Sequence, residues 1–441
     1  MPKGRLKVQC LVKDKYVPVD KSTVTISNPE GSVTIYNVNT DSSGLSPELE
    51  VDAPPVEYSQ QPSDKMPYSI YDIKVERTGF EPVLVRKCQI FPEKTAIQPI
   101  NLIESTSRQA PQEEIIIIQD NTLYGIFPPK IPEEPNKPLP PPSSGVVLAQ
   151  PVVPEFVVVH QGTPDSYGPN YTVKFTDYIK NVASSEIYST WPESTLRANI
   201  LCILSFTMNR IYTEWYRGKG KNFDITNSTA YDHAFNYGRN IFENIGNVVD
   251  EIFSTYIRRV ERKQPLLTQY CDGQRVQCPN WLSQWGSKYL GDQGADPFRI
   301  LTNYYGTDIE LVTAQQVKGI PKSYPGFTLT EGSTGTPVRE IQTYLNRIAD
   351  NFPAIPKMNV DGKYGPTTTS AVKKFQEVFS MPQTGNVDYA TWYKISDIYV
   401  GVTKIAELRK SGLIKRTFVP PAEFRRKDIT IPSVTYYDDM I

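Results

Sequence analysis

Glu186 is the residue whose type and surroundings are best suited to chemistry. It stands in the segment VASSEIYSTWP, with Val182, Ala183, Ile187 and Tyr188 close to it in sequence. Partly apolar surroundings disfavour a charged carboxylate, so such a group can hold a proton near neutral pH and then donate it. Glu186 is therefore a candidate general acid, although most single Glu residues in such a position have no catalytic role.

A long helix is predicted directly after Glu186. Thr190 and Glu193 have the spacing of a capping box, and Pro192 falls in the first turn, where a missing N–H is tolerated. Apolar residues then recur three or four positions apart as far as Trp215, a pattern typical of a buried helix face. The sequence thus predicts that Glu186 lies in a turn or loop at the start of this helix.

Two polar and aromatic segments could surround Glu186 in the fold. Residues 223–238 read FDITNSTAYDHAFNYG, and residues 269–306 contain SQWG followed by the patterns of short helices. Such segments can line a cleft with hydrogen-bonding groups and with rings that stack on sugars. Between them, the apolar periodicity of residues 241–256 predicts another helix.

The segments VASSEIYSTWP, LRAN, FDITNSTAYDHAFNYG and LSQWGSKYLGDQGADPFRILTNYYG follow one another between residues 155 and 312. In order and spacing they resemble the motifs of the stage II sporulation protein D (SpoIID) family of lytic transglycosylases. The resemblance implies that Glu186 is a single acid/base acting on peptidoglycan, with no cofactor. It also implies a set of substrate-binding residues, namely Arg197, Tyr231, Asp232, His233, Gln284 and Trp285.

Some positions depart from the family pattern. Leu204 stands where family members often carry an Arg, and His233 stands where they often carry Gln. The Cys and His ligands with which some members bind a metal cannot be assembled here, so no metal is predicted. Hydrolysis by two carboxylates stays open as an alternative, because further acidic residues are available: Asp177, Glu193, Glu214 and Asp232.

Residues 332–396 contain three motif blocks, which begin GSTGTPVREIQTYL, DGKYGPTTTSAVKKFQ and GNVDYATW. They resemble the type-one peptidoglycan-binding module, which implies a three-helix domain over residues 330–410 and peptidoglycan glycan strands as a partner. The resemblance also implies that Asp361, Tyr364 and Gln376 line the groove for the peptide stem. The alternative is that Asp361 and Tyr364 only build the turn between two helices.

Residues 1–126 read as short strands rich in Val, Ile and Tyr, separated by turns. TDSSG and GFEP resemble the turns of small β-sandwich modules of the transthyretin or carboxypeptidase-regulatory type. The apolar run at residues 113–120 is expected to pair with another strand, because an exposed one would aggregate. The proline-rich residues 127–150 predict an extended linker, which is either a protease substrate or a plain spacer.

The predicted fold class is therefore multidomain α+β. It has a β-sandwich-like module (1–126), a linker and processing region (127–150), a SpoIID-like α+β catalytic domain (151–315), a binding domain (330–410) and a tail (411–441). This arrangement resembles the spore cortex-lytic enzymes of clostridia. It implies a zymogen that an activating protease cuts near residues 127–150 during germination. The alternative is a catalytically inactive peptidoglycan-binding protein of the spore coat or wall.

The composition of the chain does not favour a nucleic-acid-binding or a membrane-spanning protein. The 47 basic and 48 acidic residues give a net charge of −1, so no electrostatic feature favours nucleic acid as a partner. No apolar run has the length of a membrane span or of a signal peptide. This agrees with what the resemblance to the cortex-lytic enzymes implies, namely synthesis in the mother-cell cytoplasm without a signal peptide and deposition in the spore. Of five cysteines only Cys271 and Cys278 are close in sequence, and the sequence leaves their bonding open.

Overall fold

The computed structural model describes residues 1–13, 15–29, 32–105, 112–133 and 150–403. The predicted tail 411–441 and most of the predicted processing region, residues 134–149, lie outside the described residues. The predictions made for those segments therefore stay predictions.

The N-terminal part consists of strands, as the sequence predicts. Along the first strand Leu6, Val8 and Cys10 are buried and the residues between them are less so, which is the two-residue period of a half-buried strand. The strands are β1 (Lys3–Val12), β2 (Val17–Pro18), β3 (Thr23–Ser27), β4 (Thr34–Asn39), β5 (Leu49–Asp52), β6 (Ser69–Glu76), β7 (Val83–Ile90), β8 (Thr95–Leu102) and β9 (Glu114–Ile117).

The strand of the apolar run at 113–120 is paired, as predicted. Strand β9 lies parallel to β7 at the edge of a sheet ordered β4–β3–β6–β7–β9, with Ile115 opposite Leu84. Ile115 and Ile117 are exposed, whereas Ile116 packs against the hydrophobic core. Pairing therefore satisfies the backbone on one side of β9 and orients every second side chain inward.

The other N-terminal sheet is completed by a strand from the middle of the chain. Strand β13 (Ile241–Phe242) pairs with β8, giving the order β13–β8–β1–β2, and β5 also pairs with β1. The two N-terminal sheets and the central region share one hydrophobic core, and residues 1–403 form one packing unit. The β-rich segment is thus built into the same body as the region that carries Glu186.

The helix predicted over residues 241–256 is shorter than expected. Only Glu243–Ile252 is helical: Ile241 and Phe242 before it belong to β13, and a turn after it leads into a strand that begins at Thr255. The open edge of β8 recruits Ile241 and Phe242 as a strand, so tertiary pairing overrides the helical pattern there.

The central region surrounds one long helix with smaller elements. Fifteen residues of α2 are buried on all sides, including Ile203 and Leu204, so it is a core helix rather than an amphipathic one. The elements are β10 (Phe156–His160), β11 (Asn170–Lys174), α1 (Phe175–Glu186), α2 (Glu193–Tyr212), β12 (Ile225–Thr226), α3 (Glu243–Ile252), β14 (Thr255–Arg259), β15 (Tyr270–Cys271), β16 (Leu282–Ser283), α4 (Gln284–Asp292), α5 (Pro297–Tyr305) and β17 (Ile309–Thr313).

The capping box predicted at the start of α2 is wrong. Pro192 is the N-cap residue, and no side chain caps the helix. The Thr190 hydroxyl instead donates to Ser59 Oγ at 2.7 Å, and the Trp191 indole N–H donates to the Ser59 carbonyl at 2.9 Å. Contacts with the N-terminal region therefore hold the residues just before α2.

The three helices predicted for the C-terminal module are confirmed. They are α6 (Thr336–Ala349), α7 (Pro366–Val378) and α8 (Tyr389–Thr403), and they enclose a core of their own. Gly362 has a φ of +75° in the turn between α6 and α7, a conformation that favours glycine. The Lys174 ammonium contacts the Asp397 carboxylate at 2.5 Å and joins the module to the central region.

Candidate active site

Glu186 is the last residue of α1, which corrects the prediction that it lies in a loop. Tyr178, Ile179, Val182 and Ala183 form the buried face of α1, and Glu186 continues that face by one more turn. The helical pattern was missed because the helix has no glycine stop signal and ends directly in extended backbone at Ile187. The side chain of Glu186 is only 3% exposed.

The carboxylate of Glu186 is held by two donors that come from different segments. The Ala234 backbone N–H donates to Oε1 at 2.6 Å, and the Tyr270 hydroxyl donates to Oε2. Burial raises the pKa of Glu186, while the charge of Lys130 and the two hydrogen bonds oppose the rise. A negative charge is also disfavoured at the C-terminal end of a helix. Glu186 is therefore oriented by its partners and predisposed to hold a proton.

The 223–238 segment lies beside Glu186, as predicted, but Asp232 is fully buried there. Its carboxylate accepts hydrogen bonds from Arg210 at 2.8 Å, from the Tyr216 hydroxyl at 2.7 Å and from Thr226. Tyr231 contributes its backbone carbonyl to Arg210 at 3.2 Å. Asp232 is thus committed to orienting Arg210.

His233 is buried next to the Glu186 donors. Its Nδ1 lies 2.9 Å from the Tyr178 hydroxyl, and its ring stacks on Tyr270. Burial lowers the pKa of His233 far below its ordinary value, and Lys130 and Arg210 lower it further. The imidazole is therefore neutral at pH 7, and its Nε2 has no hydrogen-bond partner within the described part of the chain.

The SQWG segment also reaches Glu186. Gln284 donates from Nε2 to the Glu186 backbone carbonyl at 3.0 Å, and so fixes the end of α1. Trp285 packs on Trp191 and Tyr188, with ring centroids 5.0 and 5.8 Å apart. These contacts hold the SQWG segment against the end of α1 and the residues that follow it.

Arg197 is held elsewhere on α2. Its guanidinium forms ion pairs with Glu193, four residues earlier, and with Glu251 on α3. These contacts link α2 to α3, and the structure records no hydrogen bond from Arg197 to Glu186 or to its donors among the described residues. Its role in binding substrate stays a prediction.

Three residues of the candidate site were missed by the sequence analysis: Tyr270, Arg210 and Lys130. Tyr270 lies 84 positions from Glu186, and only the fold brings them together. Leu204, where the family pattern has an Arg, is in the core, and Arg210 supplies a guanidinium six residues later on the same helix. Arg210 is the only charged residue between positions 198 and 213, and this was a signal that could have indicated the site.

Residues 121–133, which we call the strap, cross the site beside Glu186. The Thr122 N–H donates to the Ser185 carbonyl at 3.0 Å, and Asn121 donates to the Ile187 carbonyl at 3.2 Å. Further along, the Ile131 N–H donates to the Ala230 carbonyl at 2.7 Å. The strap is therefore hydrogen-bonded both to the end of α1 and to the 223–238 segment.

Lys130 and Glu133 are the charged residues through which the strap enters the site. The Lys130 ammonium donates to the Asp232 carbonyl at 2.5 Å and lies 4.6 Å from the Tyr270 ring centre. Burial lowers the pKa of Lys130. The Glu133 carboxylate binds the Arg210 guanidinium through both oxygens.

A disulfide joins Cys271 to Cys278, which settles the bonding that the sequence left open. Within the loop it closes, Arg275 donates to the backbone carbonyls of Leu123, Tyr124 and Gly125. The loop that follows Tyr270 thus also holds the strap.

The motif residues of the C-terminal module form hydrogen bonds within the module itself. The Tyr364 hydroxyl donates to the Gly385 carbonyl at 2.7 Å, and Gln376 accepts from the Gly385 N–H at 2.8 Å. Asp361 accepts from Gln342 at 3.0 Å and from the Lys363 N–H at 2.8 Å. All three build turns of the module, and their predicted contact with a peptide stem stays a prediction.

An open groove of about 550 Å³ lies on the same module. Its lining combines apolar and charged side chains, including Glu331, Pro356, Thr369, Lys373 and Glu377. Among the described residues no three His, Cys, Asp or Glu side chains are grouped as metal ligands would be. Within the same described ranges no helix is long and apolar enough to cross a membrane.

Comparison with known proteins identifies the C-terminal module. Residues 334–395 match the family model described as a peptidoglycan binding domain. The chain carries a peptidoglycan-binding domain. The chain is also 37% identical over 68 residues to the zinc D-Ala-D-Ala carboxypeptidase of Streptomyces albus G, a match that covers 15% of this chain and 26% of that enzyme.

Two solved structures share short stretches with this chain. The TIE protein of Bacillus anthracis matches 23% of this chain and 17% of its own, with 19% identity and a TM-score of 0.17. The minor pilin GBS52 of Streptococcus agalactiae matches 25% of this chain and 48% of its own, with 14% identity and a TM-score of 0.18. At these TM-scores neither likeness supports a conclusion about the fold.

Proposed function

We propose that this protein is a peptidoglycan lytic transglycosylase in which Glu186 is the single acid/base. The observation that carries the proposal is the buried Glu186 carboxylate, whose pKa is raised by burial and whose oxygens are oriented by Tyr270 and Ala234. Two other carboxylates of this cluster, those of Asp232 and Glu133, form ion pairs with Arg210. This arrangement suits a reaction that needs one carboxyl group.

In the proposed reaction, Glu186 first donates its proton to the oxygen between N-acetylmuramic acid and N-acetylglucosamine. The bond from that oxygen to the anomeric carbon breaks, and N-acetylglucosamine leaves with a hydroxyl group. The hydroxymethyl oxygen of the muramic acid then attacks the anomeric carbon, and its proton passes to the Glu186 carboxylate. The product is an anhydro sugar, Glu186 ends protonated, and no water is consumed.

The peptidoglycan-binding domain supports the choice of substrate, because it would hold the catalytic region on its polymer. The spore cortex as the site of action, synthesis as a zymogen and cleavage by a protease near residues 127–150 are further parts of the proposal. They rest on the sequence resemblance and on the position of the strap beside Glu186.

The alternative is a catalytically inactive peptidoglycan-binding protein of the spore coat or wall. One observation favours it: both oxygens of Glu186 already accept hydrogen bonds from protein groups, and the strap crosses beside them. Under this alternative the peptidoglycan-binding domain supplies the only function.

One experiment distinguishes the two proposed functions. The full chain, before and after limited proteolysis, is incubated with cortex peptidoglycan, and the soluble products are analysed by mass spectrometry. We expect anhydro-muropeptides after proteolysis from the wild type and from Glu310→Gln, a control on the surface of β17 that pairs with Arg258. Glu186→Gln should still bind the polymer but release no product. Equal release by Glu186→Gln would contradict the role of Glu186, and binding without release by every variant would favour the alternative.

A further inference from the structure

The guanidinium of Arg210 is buried among aromatic rings. Its carbon lies 4.7 Å from the Phe206 ring centre and 5.6 Å from that of Tyr216, and the side chain is 1% exposed. A buried guanidinium keeps its charge and needs acceptors for its N–H groups. Nε donates to Asp232, which belongs to the same region, and the terminal nitrogens donate to Glu133 of the strap.

The two acceptors of Arg210 differ in how they are held. Asp232 is 0% exposed and has four donors from Arg210, Tyr216 and Thr226. Glu133 is 14% exposed, and its backbone N–H and carbonyl are both bonded to the side chain of Gln269. Asp232 is thus a built-in part of the site, whereas Glu133 is delivered by the chain segment that crosses it.

A chain of contacts through charged and aromatic side chains connects Arg210 to Glu186. Lys130 lies 4.8 Å from the centre of the Phe206 ring, and Arg210 contacts that same ring. Lys130 also lies over Tyr270, whose hydroxyl binds Glu186. The strap therefore presents an ammonium towards Glu186 and, three residues later, a carboxylate to Arg210.

A glycan in the proposed reaction would present the same two charges. Its anomeric carbon becomes positively charged as the glycosidic bond breaks, next to Glu186. Peptidoglycan also carries carboxylates near that carbon, either on the lactyl group of muramic acid or on the peptide stem. A planar guanidinium binds a carboxylate with two parallel hydrogen bonds, as it binds Glu133 here.

We propose that Arg210, backed by Asp232, is a binding site for a carboxylate of the substrate, and that Glu133 occupies this site as an internal substitute. Lys130 occupies the position of the cationic sugar at the same time. When the strap leaves, two buried donors of Arg210 lose their acceptor, so a carboxylate ligand is favoured over a neutral one. The proposal rests on the proposed function and adds a carboxylate requirement to the substrate.

The test measures binding to the full chain by titration calorimetry in a Glu186→Gln background, which prevents turnover. The strap variant adds Lys130→Ala and Glu133→Ala, which remove the internal charges. Three tetrasaccharide probes of alternating N-acetylglucosamine and N-acetylmuramic acid are compared. The first has free lactyl carboxylates, the second carries stem peptides with free carboxylates, and the third carries the same peptides with every carboxylate amidated.

We expect the strap variant to bind at least one acidic probe about tenfold more tightly than the amidated probe, as suits one charge-assisted bidentate pair. Tight binding of the first probe identifies the lactyl carboxylate as the ligand, and tight binding of the second alone identifies the stem. With the strap intact, the acidic probes should bind about tenfold more weakly, because Glu133 competes for Arg210.

Equal binding of acidic and amidated probes would overturn the carboxylate site but leave the proposed function standing. Failure of all probes to bind, together with the absence of anhydro products from the proteolysed wild type, would overturn both. Arg210→Lys adds a second arm, since it keeps the charge but loses the two-nitrogen fork. It should lose most of the preference for the acidic probe, and an unchanged thermal midpoint would show that it folds.

Discussion

The candidate active site and the peptidoglycan-binding domain both contain sequence motifs, but they use the motif residues in opposite ways. In the binding domain Tyr364 and Gln376 bond to the backbone of their own turns. Around Glu186 the polar residues come from distant segments and bond to one another, as Tyr270 and Glu186 do. Polar residues of a motif can therefore stabilise local turns in one region and join distant segments in another, and only the contacts in the structure distinguish the two arrangements.

The largest effect on stability is expected where the active site keeps charges buried. Asp232→Asn removes the negative charge that balances Arg210 from within the region. Breaking a buried pair of this kind should lower the free energy of unfolding by about 3 kcal/mol. Urea unfolding followed by fluorescence measures the loss, with Glu310→Gln as the surface control. A loss no larger than the control's would mean that Glu133 alone satisfies Arg210.

The binding domain should show that its motif residues serve stability. Gln376→Leu leaves the buried Gly385 N–H without its acceptor and removes bonds to Thr384 and Thr391, so we expect a loss of about 2 kcal/mol. Urea unfolding of the full chain measures the loss. Asp361→Asn is the matched control: it lies in an exposed turn and should cause a smaller loss. If Gln376→Leu unfolds as the wild type does but no longer binds peptidoglycan, the residue contacts the ligand and the contrast between the regions fails.

The sequence predicted the regular parts of both regions, because local patterns determine them. The alternation of β1 and the three helices of the binding domain are of this kind. Strand β13 was missed because its pairing with β8 depends on distant residues, and helix α1 was missed because it has no glycine stop signal and ends directly in extended backbone. The structure brings Gln284 and the 223–238 segment into contact with Glu186, while the roles predicted for them stay predictions. Tyr270, Arg210 and Lys130 required the fold.

The smallest effect on stability is expected for substitution of Glu186 itself, as its proposed catalytic role requires. Its pKa is raised in the folded state, so its contribution to stability is present below its unfolded pKa and is lost as the pH rises through the folded pKa. Glu186→Gln should therefore be as stable as the wild type at pH 4 and as stable or slightly more stable at pH 7. Urea unfolding at both pH values measures this. A variant that loses stability at pH 7 would assign Glu186 a structural role instead.

In the proposed mechanism Glu186 alone serves as acid and then as base. The hydroxymethyl oxygen of the muramic acid therefore attacks its own anomeric carbon, and no water takes part. The most direct test is to digest peptidoglycan with the proteolysed protein in water labelled with oxygen-18 and to analyse the released fragments by mass spectrometry. We predict anhydro ends that contain no label. Fragments that carry one labelled oxygen at a reducing end would contradict it and would show that water attacks the sugar with the help of a second carboxylate.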